Sequence, residues 1–152
     1  MAKQSAGILL YRKTGGGLQV FLVHPGGPYF KNKDLGAWSV PKGEFLDDED
    51  ALAAAKREFR EETGQAIEGN FISLEPVILK SGKIVHAWAV EGDIDHETIT
   101  SNMFEMEWPP KSGKRQSFPE IDRAGWFDLD EAKLKINGTQ ARLIDSLLAK
   151  QL

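Results

Sequence analysis

Apolar and polar positions along this chain alternate in short blocks, punctuated by glycine, proline and charged turns. Gln4 to Arg12 (QSAGILLYR) is a short apolar block followed by a turn signal, which predicts a strand rather than a helix. Thr14-Gly15-Gly16-Gly17 supplies the turn, and Leu18 to Val23 (LQVFLV) a second strand, so the chain opens on a hairpin. His24 to Gly36 (HPGGPYFKNKDLG) predicts a long loop, of a length that in compact domains carries function or moves. Trp38 to Pro41 predicts a short strand ended by proline. The pattern then turns helical: Ala51, Leu52, Ala54, Ala55 and Phe59 mix small and large apolar groups for close packing on a sheet. Asp47 or Asp48 is the expected N-cap, acidic residues suit the first turn, and Gly64 takes the C′ position after Thr63.

Beyond this helix, Phe71 to Lys80 and Lys83 to Glu91 predict a second hairpin around Ser81-Gly82, with His86 a core or sheet-face residue. Met103 to Trp108 alternates, placing Phe104, Met106 and Trp108 on one side and Glu105 and Glu107 on the other. Pro109-Pro110 stops that strand, and Lys111 to Arg115 forms a basic turn. Ala124 to Leu129 is a last short strand. Asp128 or Asp130 caps a helix through Ile136, Asn137-Gly138 breaks it, and a final helix carries an apolar stripe of Leu143, Ile144, Leu147 and Leu148. The order of elements predicts one mixed α/β (α+β) domain over residues 1–152, with no repeats, linkers or low-complexity tracts.

Composition narrows the function classes. The longest apolar run, Ala6 to Tyr11, is far too short to span a bilayer, and no signal peptide pattern opens the chain. With no cysteine, disulfides and thiolate metal sites are excluded, and a cytoplasmic location is compatible. Between Lys42 and Thr63 stand eight acidic and four basic residues, a net of −4, which equals the net charge of the whole chain. The remainder is neutral, so the basic footprint of a general nucleic-acid binder is missing. In the helix, Glu58, Glu61 and Glu62 fall at i, i+3 and i+4 on one face. Like charges so spaced cost a few tenths of a kcal/mol per pair, and a hard divalent cation would offset that cost.

Gly43 to Gly64 (GEFLDDEDALAAAKREFREETG) resembles the Nudix box, G-x5-E-x7-R-E-U-x-E-E-x-G-U with U a bulky aliphatic. Gly43, Glu49, Arg57, Glu58, Glu61, Glu62 and Gly64 stand at the matching positions. Phe59 occupies the first U, and the last is the polar Gln65. The resemblance implies an α/β/α sandwich with a mixed sheet and a loop-helix-loop motif that binds Mg²⁺ or Mn²⁺. It also implies hydrolysis of a nucleoside diphosphate linked to another moiety, by water attack at phosphorus. On that reading Glu58, Glu61 and Glu62 are metal ligands, the Lys42 backbone carbonyl is an additional one, and Arg57 orients glutamates with Glu49 as its partner. Glu120 is the candidate general base or further ligand, with Glu105 and Glu107 as competitors.

Trp38-Ser39-Val40-Pro41-Lys42-Gly43 bears on the substrate. A Pro-Lys-Gly lead-in resembles the dinucleoside polyphosphate and diphosphoinositol polyphosphate branches of the family, where Lys42 would set a cation beside a polyphosphate. Lys114 and Arg115 are candidates for distal phosphates, and Tyr29, Phe30 and Phe118 for stacking on a base, an interaction worth ~1–3 kcal/mol in nucleic-acid systems. The expected partner is thus a nucleotide-type small molecule, diadenosine tetraphosphate being one example. Nucleoside triphosphates, ADP-ribose, diphosphoinositol polyphosphates and a non-catalytic nucleotide sensor stand as alternatives. Oligomeric state is not legible.

Overall fold

In the computed structural model, which describes residues 3–151, a mixed sheet is held between helices. β1 (Gln4–Thr14) and β2 (Gly17–Pro25) form the opening antiparallel hairpin, but their pairing runs only from Thr14–Gly17 to Tyr11–Val20. Beyond that point the two strands part, and residues 39–44 fill the gap. Ser39 and Val23 exchange both backbone bonds at 2.9 Å, and the Ile8 N–H donates to the Pro41 carbonyl at 3.1 Å. β3 (Lys42–Glu44) then pairs antiparallel with residues 5–7 of β1. On its other edge β1 runs parallel to β6 (Ile84–Glu91), and β9 (Ile121–Asp128) pairs antiparallel with β2.

β1 is buried on both faces, which is why its sequence is continuously apolar rather than alternating. Ala6, Ile8 and Leu10, with Phe21 and Val23 of β2, face Ala54, Ala55 and Phe59 of α1 (Ala51–Thr63). Leu9, Tyr11, Val20 and Leu22 face the opposite way, onto α2 (Leu129–Lys135) and α3 (Ala141–Gln151), which contribute Ala132, Leu143, Ile144 and Leu147. Phe59 is fully buried, its ring centroid 6.1 Å from that of Phe21. Phe59→Ala is therefore expected to cost about 3–5 kcal/mol. Urea unfolding reads this directly, and a loss below about 1 kcal/mol would mean the helix is not anchored there.

Several elements differ from the sequence expectation, each for a local reason. The N-cap is Asp50, whose carboxylate accepts the Ala53 N–H at 2.9 Å; a tight turn from Leu46 to Glu49 delays the helix, so no acidic residue lies in its first turn. The C-cap is as expected, with Gly64 left-handed at φ 77°. Trp38 and Ser39 make isolated bridges, not a strand. The segment from Phe71 is split into β4 (Ile72–Ser73) and β5 (Val77–Ile78), both paired to β6, with Pro76, which has no N–H to donate, between them. β7 (Met103–Glu107) has the predicted alternation, but it pairs with an unexpected β8 (Arg115–Pro119) in a separate two-stranded sheet. His24 and Pro25 belong to β2 rather than to the following loop.

Candidate active site

The gap filled by residues 39–44 sets the geometry of the site. Backbone bonds of β3 to β1 involve Pro41 on one side of Lys42 and Phe45, which donates to the Gln4 carbonyl at 3.1 Å, on the other. In an antiparallel ladder this alternation turns the Lys42 N–H and C=O away from β1. They face α1, and the N–H donates to Glu62 Oε1 at 3.3 Å. One residue on, Gly43 lies against Glu58: a Cβ there would sit 1.9 Å from Glu58 Oε1. The glycine is needed for this close approach rather than for its backbone angles.

Glu58, Glu61 and Glu62 share one face of the last turns of α1, and the contacts of Glu58 with Gly43 and of Glu62 with the Lys42 N–H set that face against β3. Glu62, Glu120, Lys42, Val23, Pro25, Ser39 and Ile121 line a cavity of about 150 Å³. Burial lifts the Glu62 carboxyl to about 8, with repulsion from Glu58 and Glu120 adding to the rise and the Lys42 charge opposing it. Burial also raises Glu58, against the bond from Arg57, and raises Glu120, with Glu61 repulsion behind it. Burial disfavours the charged form of all three, and the cations beside Glu62 and Glu58, Lys42 and Arg57, offset it only in part. Arg57 pairs with Glu49, lies 3.2 Å from Glu58 Oε2, and comes within 4.0 Å of Glu61 Oε1. The polar Gln65 is accounted for by a bond from its side-chain amide to the Thr98 hydroxyl at 3.2 Å.

Among the described residues, no three carboxylate or imidazole groups already converge on one point. Glu62 is turned to the Lys42 N–H and Glu58 to Arg57. The donor set nevertheless suits a hard divalent cation: all-oxygen, partly buried, mutually repelling, and beside a carbonyl turned out of its ladder. Glu58, Glu61, Glu62 and the Lys42 carbonyl could hold such an ion.

Glu120 is the candidate that the fold brings to these glutamates; its competitors are engaged elsewhere. Glu107 accepts the Lys111 and Gly113 N–H groups at 3.1 and 3.2 Å, closing the hairpin turn, and Glu105 faces Arg115 at 3.9 Å. Lys114 and Arg115 lie at the turn end of the β7–β8 hairpin, away from the glutamate cavity. Phe118 packs on Phe104 with ring centroids 6.0 Å apart, at the hairpin end next to Glu120. Tyr29 is 58% exposed and meets Trp108 edge-on at 5.4 Å, while the Lys33 ammonium sits 5.4 Å from the Phe30 ring. The Lys42 side chain leaves β3 on the Gly7 side, opposite Gly43 and Glu58, and its burial lowers the ammonium pKa. Sequence reasoning missed one buried feature, the contact of His24 with Asp122 and the Lys33 carbonyl. The phrase His24-Pro25-Gly26-Gly27 was its only trace.

The model of the NUDIX domain matches residues 1–147. The chain belongs to the Nudix family. It is a Nudix hydrolase, a pyrophosphohydrolase by class, and Nudix hydrolases generally use divalent metal ions. The fold is likewise that of solved Nudix structures. An Ap4A hydrolase of C. elegans, solved as a binary complex, shares 22% identity over 97% of both chains with a TM-score of 0.68. The NUDIX domain of Shewanella oneidensis NrtR, solved with ADP ribose, shares 15% identity over 100% of this chain and 90% of that one, with a TM-score of 0.69. A mutT/nudix family protein from Listeria innocua shares 19% over 98% and 93%, with a TM-score of 0.63. No curated protein sequence matches significantly. Among the described residues no helix is long and apolar enough to cross a membrane.

Proposed function

We propose that this Nudix hydrolase cleaves a pyrophosphate bond in a dinucleoside polyphosphate, with Mg²⁺ or Mn²⁺ held by Glu58, Glu61, Glu62 and the Lys42 carbonyl. The observation that carries the reading is the meeting of Glu62, Glu120 and the Lys42 backbone in one cavity beside Glu58. When bound, the divalent ion supplies charge neutralisation at the phosphates and lowers the pKa of water. The chain's own residues do the rest. Glu120, its carboxyl raised by burial and by Glu61, takes the proton of the attacking water on a carboxylate oxygen. Arg57 fixes the Glu58 and Glu61 carboxylates, and Glu49 fixes Arg57. Tyr29, Phe30 and Phe118 offer ring faces or edges to a base.

Support for the substrate class is the likeness to an Ap4A hydrolase over 97% of both chains, together with the Pro41-Lys42-Gly43 lead-in as a resemblance in sequence alone, since the Lys42 side chain leaves β3 on the side opposite Glu58. A second reading, ADP-ribose as substrate, draws on the NrtR domain solved with that ligand. Incubation with Mg²⁺ and a panel of dinucleoside polyphosphates, nucleoside triphosphates, ADP-ribose and diphosphoinositol polyphosphates separates them by product analysis. The highest kcat/KM is expected for a dinucleoside polyphosphate. Preference for ADP-ribose or a triphosphate overturns the substrate class, and no turnover of any overturns the catalytic reading.

A further inference from the structure

The segment His24-Pro25-Gly26-Gly27 grips the segment Pro119-Glu120-Ile121-Asp122 at three points. His24, fully buried, has Nδ1 2.8 Å from Asp122 Oδ1. Two residues on, the Gly26 N–H donates to the Glu120 carbonyl at 2.8 Å. Gly26 also presses on the neighbouring peptide, since a Cβ there would lie 2.0 Å from the Pro119 carbonyl oxygen. The β2–β9 register slips at this place. His24 is opposite Arg123 and Pro25 opposite Ile121, so Asp122 is the extra residue of a bulge and its side chain is free to turn back to His24. The second ring nitrogen, Nε2, donates to the Lys33 carbonyl at 2.6 Å and ties down the loop that carries Tyr29 and Phe30. Trp38 covers the imidazole edge-on at 5.2 Å.

A bulge is a place where a ladder would otherwise choose among registers. A change of one residue would turn Glu120 away from Glu61 and Glu62. We infer that His24, acting through Asp122, is a positioning residue: it locks the bulge in the register that points Glu120 into the glutamate cavity. Neither side chain touches the cavity, whose lining includes Pro25, Glu120 and Ile121 but not His24 or Asp122. The inference rests on the reading of Glu120 as the group that takes the water proton.

Asp122→Ala is the variant of choice, because its side chain is 27% exposed while His24 lies in the core. Two readings are taken on the metal-free and the Mg²⁺-loaded protein. Amide exchange of Gly26 in the metal-free protein is expected to speed up at least about tenfold, since that N–H is held only while Glu120 stays in place. With metal, kcat is expected to fall on the order of ten- to hundredfold with little change in KM, the scale of a misplaced catalytic group. The same substitution in a Glu120→Gln background should change kcat by less than about twofold, because a positioning residue has nothing left to position. Equal losses in both backgrounds, or unchanged Gly26 exchange, overturn the inference. Full activity of Glu120→Gln alone overturns instead the role of Glu120, so the two failures are told apart. His24→Asn, which keeps a donor near the Nδ1 position, is expected to retain more kcat than His24→Ala at matched folded fraction, and the reverse order also overturns the inference.

Discussion

Glu62→Gln is expected to remove turnover and, in the metal-free protein, to make the fold harder to unfold. The two effects have one cause. Glu62 is held up to about 8 by burial, against an ordinary 4.5, so the folded chain binds a proton that the unfolded chain gives up. Such a group costs nothing below about pH 4.5, where both states are protonated. Its cost grows as pH rises and levels off above about 8, reaching on the order of 3 kcal/mol at pH 7. Glutamine removes the charge and keeps an acceptor for the Lys42 N–H, so the variant should gain stability at pH 7–8 and nothing near pH 4. Urea unfolding at the two pH values measures this, and equal gains at both would show that burial of charge is not the cause. Turnover is expected to fall by on the order of 10²–10³, the worth of several kcal/mol of transition-state charge stabilisation. A kcat within about threefold of the parent would remove Glu62 from the proposed ligand set. Addition of Mg²⁺ at pH 7 should release a proton from the parent, measurable by calorimetry in buffers of different ionisation heat, and should release less from the variant.

The parts of this molecule that could be read from its sequence are those where one period or one spacing decides. The hairpin of β1 and β2 followed from an apolar block, a glycine turn and a second block, and the limits of α1 at its C-terminus from Gly64 alone. The Nudix box gave the family, since fixed spacing over a helix and its flanks is a local property of the chain. What stayed hidden is long-range. Nothing local says that β1 and β2 part after Tyr11 and Val20, so the service of residues 39–44 as a wedge between them was not legible; a short strand was expected instead. β8 reads as basic and polar because, among the described residues, it pairs only with β7 and is largely exposed, leaving no apolar alternation to see. The buried His24 opens a turn-rich stretch that patterns as loop, and its partners Asp122 and the Lys33 carbonyl come from different segments. That Glu120, rather than Glu105 or Glu107, lines the glutamate cavity likewise depends on the register of β7 against β8, which turns the other two to Arg115 and the hairpin turn.

Gly43→Ala is expected to cost nearly as much activity as the loss of a glutamate, with little effect on stability. The added methyl would meet Glu58 at Oε1, Cδ and Cγ, at 1.9, 2.2 and 2.7 Å. All three atoms belong to a side chain, which can swing aside, so the fold is spared. Gly43 is not among the residues with positive φ, so alanine meets no backbone strain there. The contrast is Gly7 on the neighbouring strand, where a Cβ would lie 2.7 Å from the Pro41 carbonyl oxygen, a backbone atom held in the wedge. Gly7→Ala must therefore move the wedge and should lower the unfolding free energy by about 1–3 kcal/mol, the usual scale of overpacking. Gly43→Ala should change it by less than about 1 kcal/mol while kcat falls on the order of a hundredfold, as for a displaced catalytic group. Paired measurement of kcat and urea midpoint for both variants decides the matter. A Gly43→Ala enzyme with parental kcat would show that the carboxylate of Glu58 need not lie against β3 for catalysis, and that the closeness of helix and strand at this point serves packing alone.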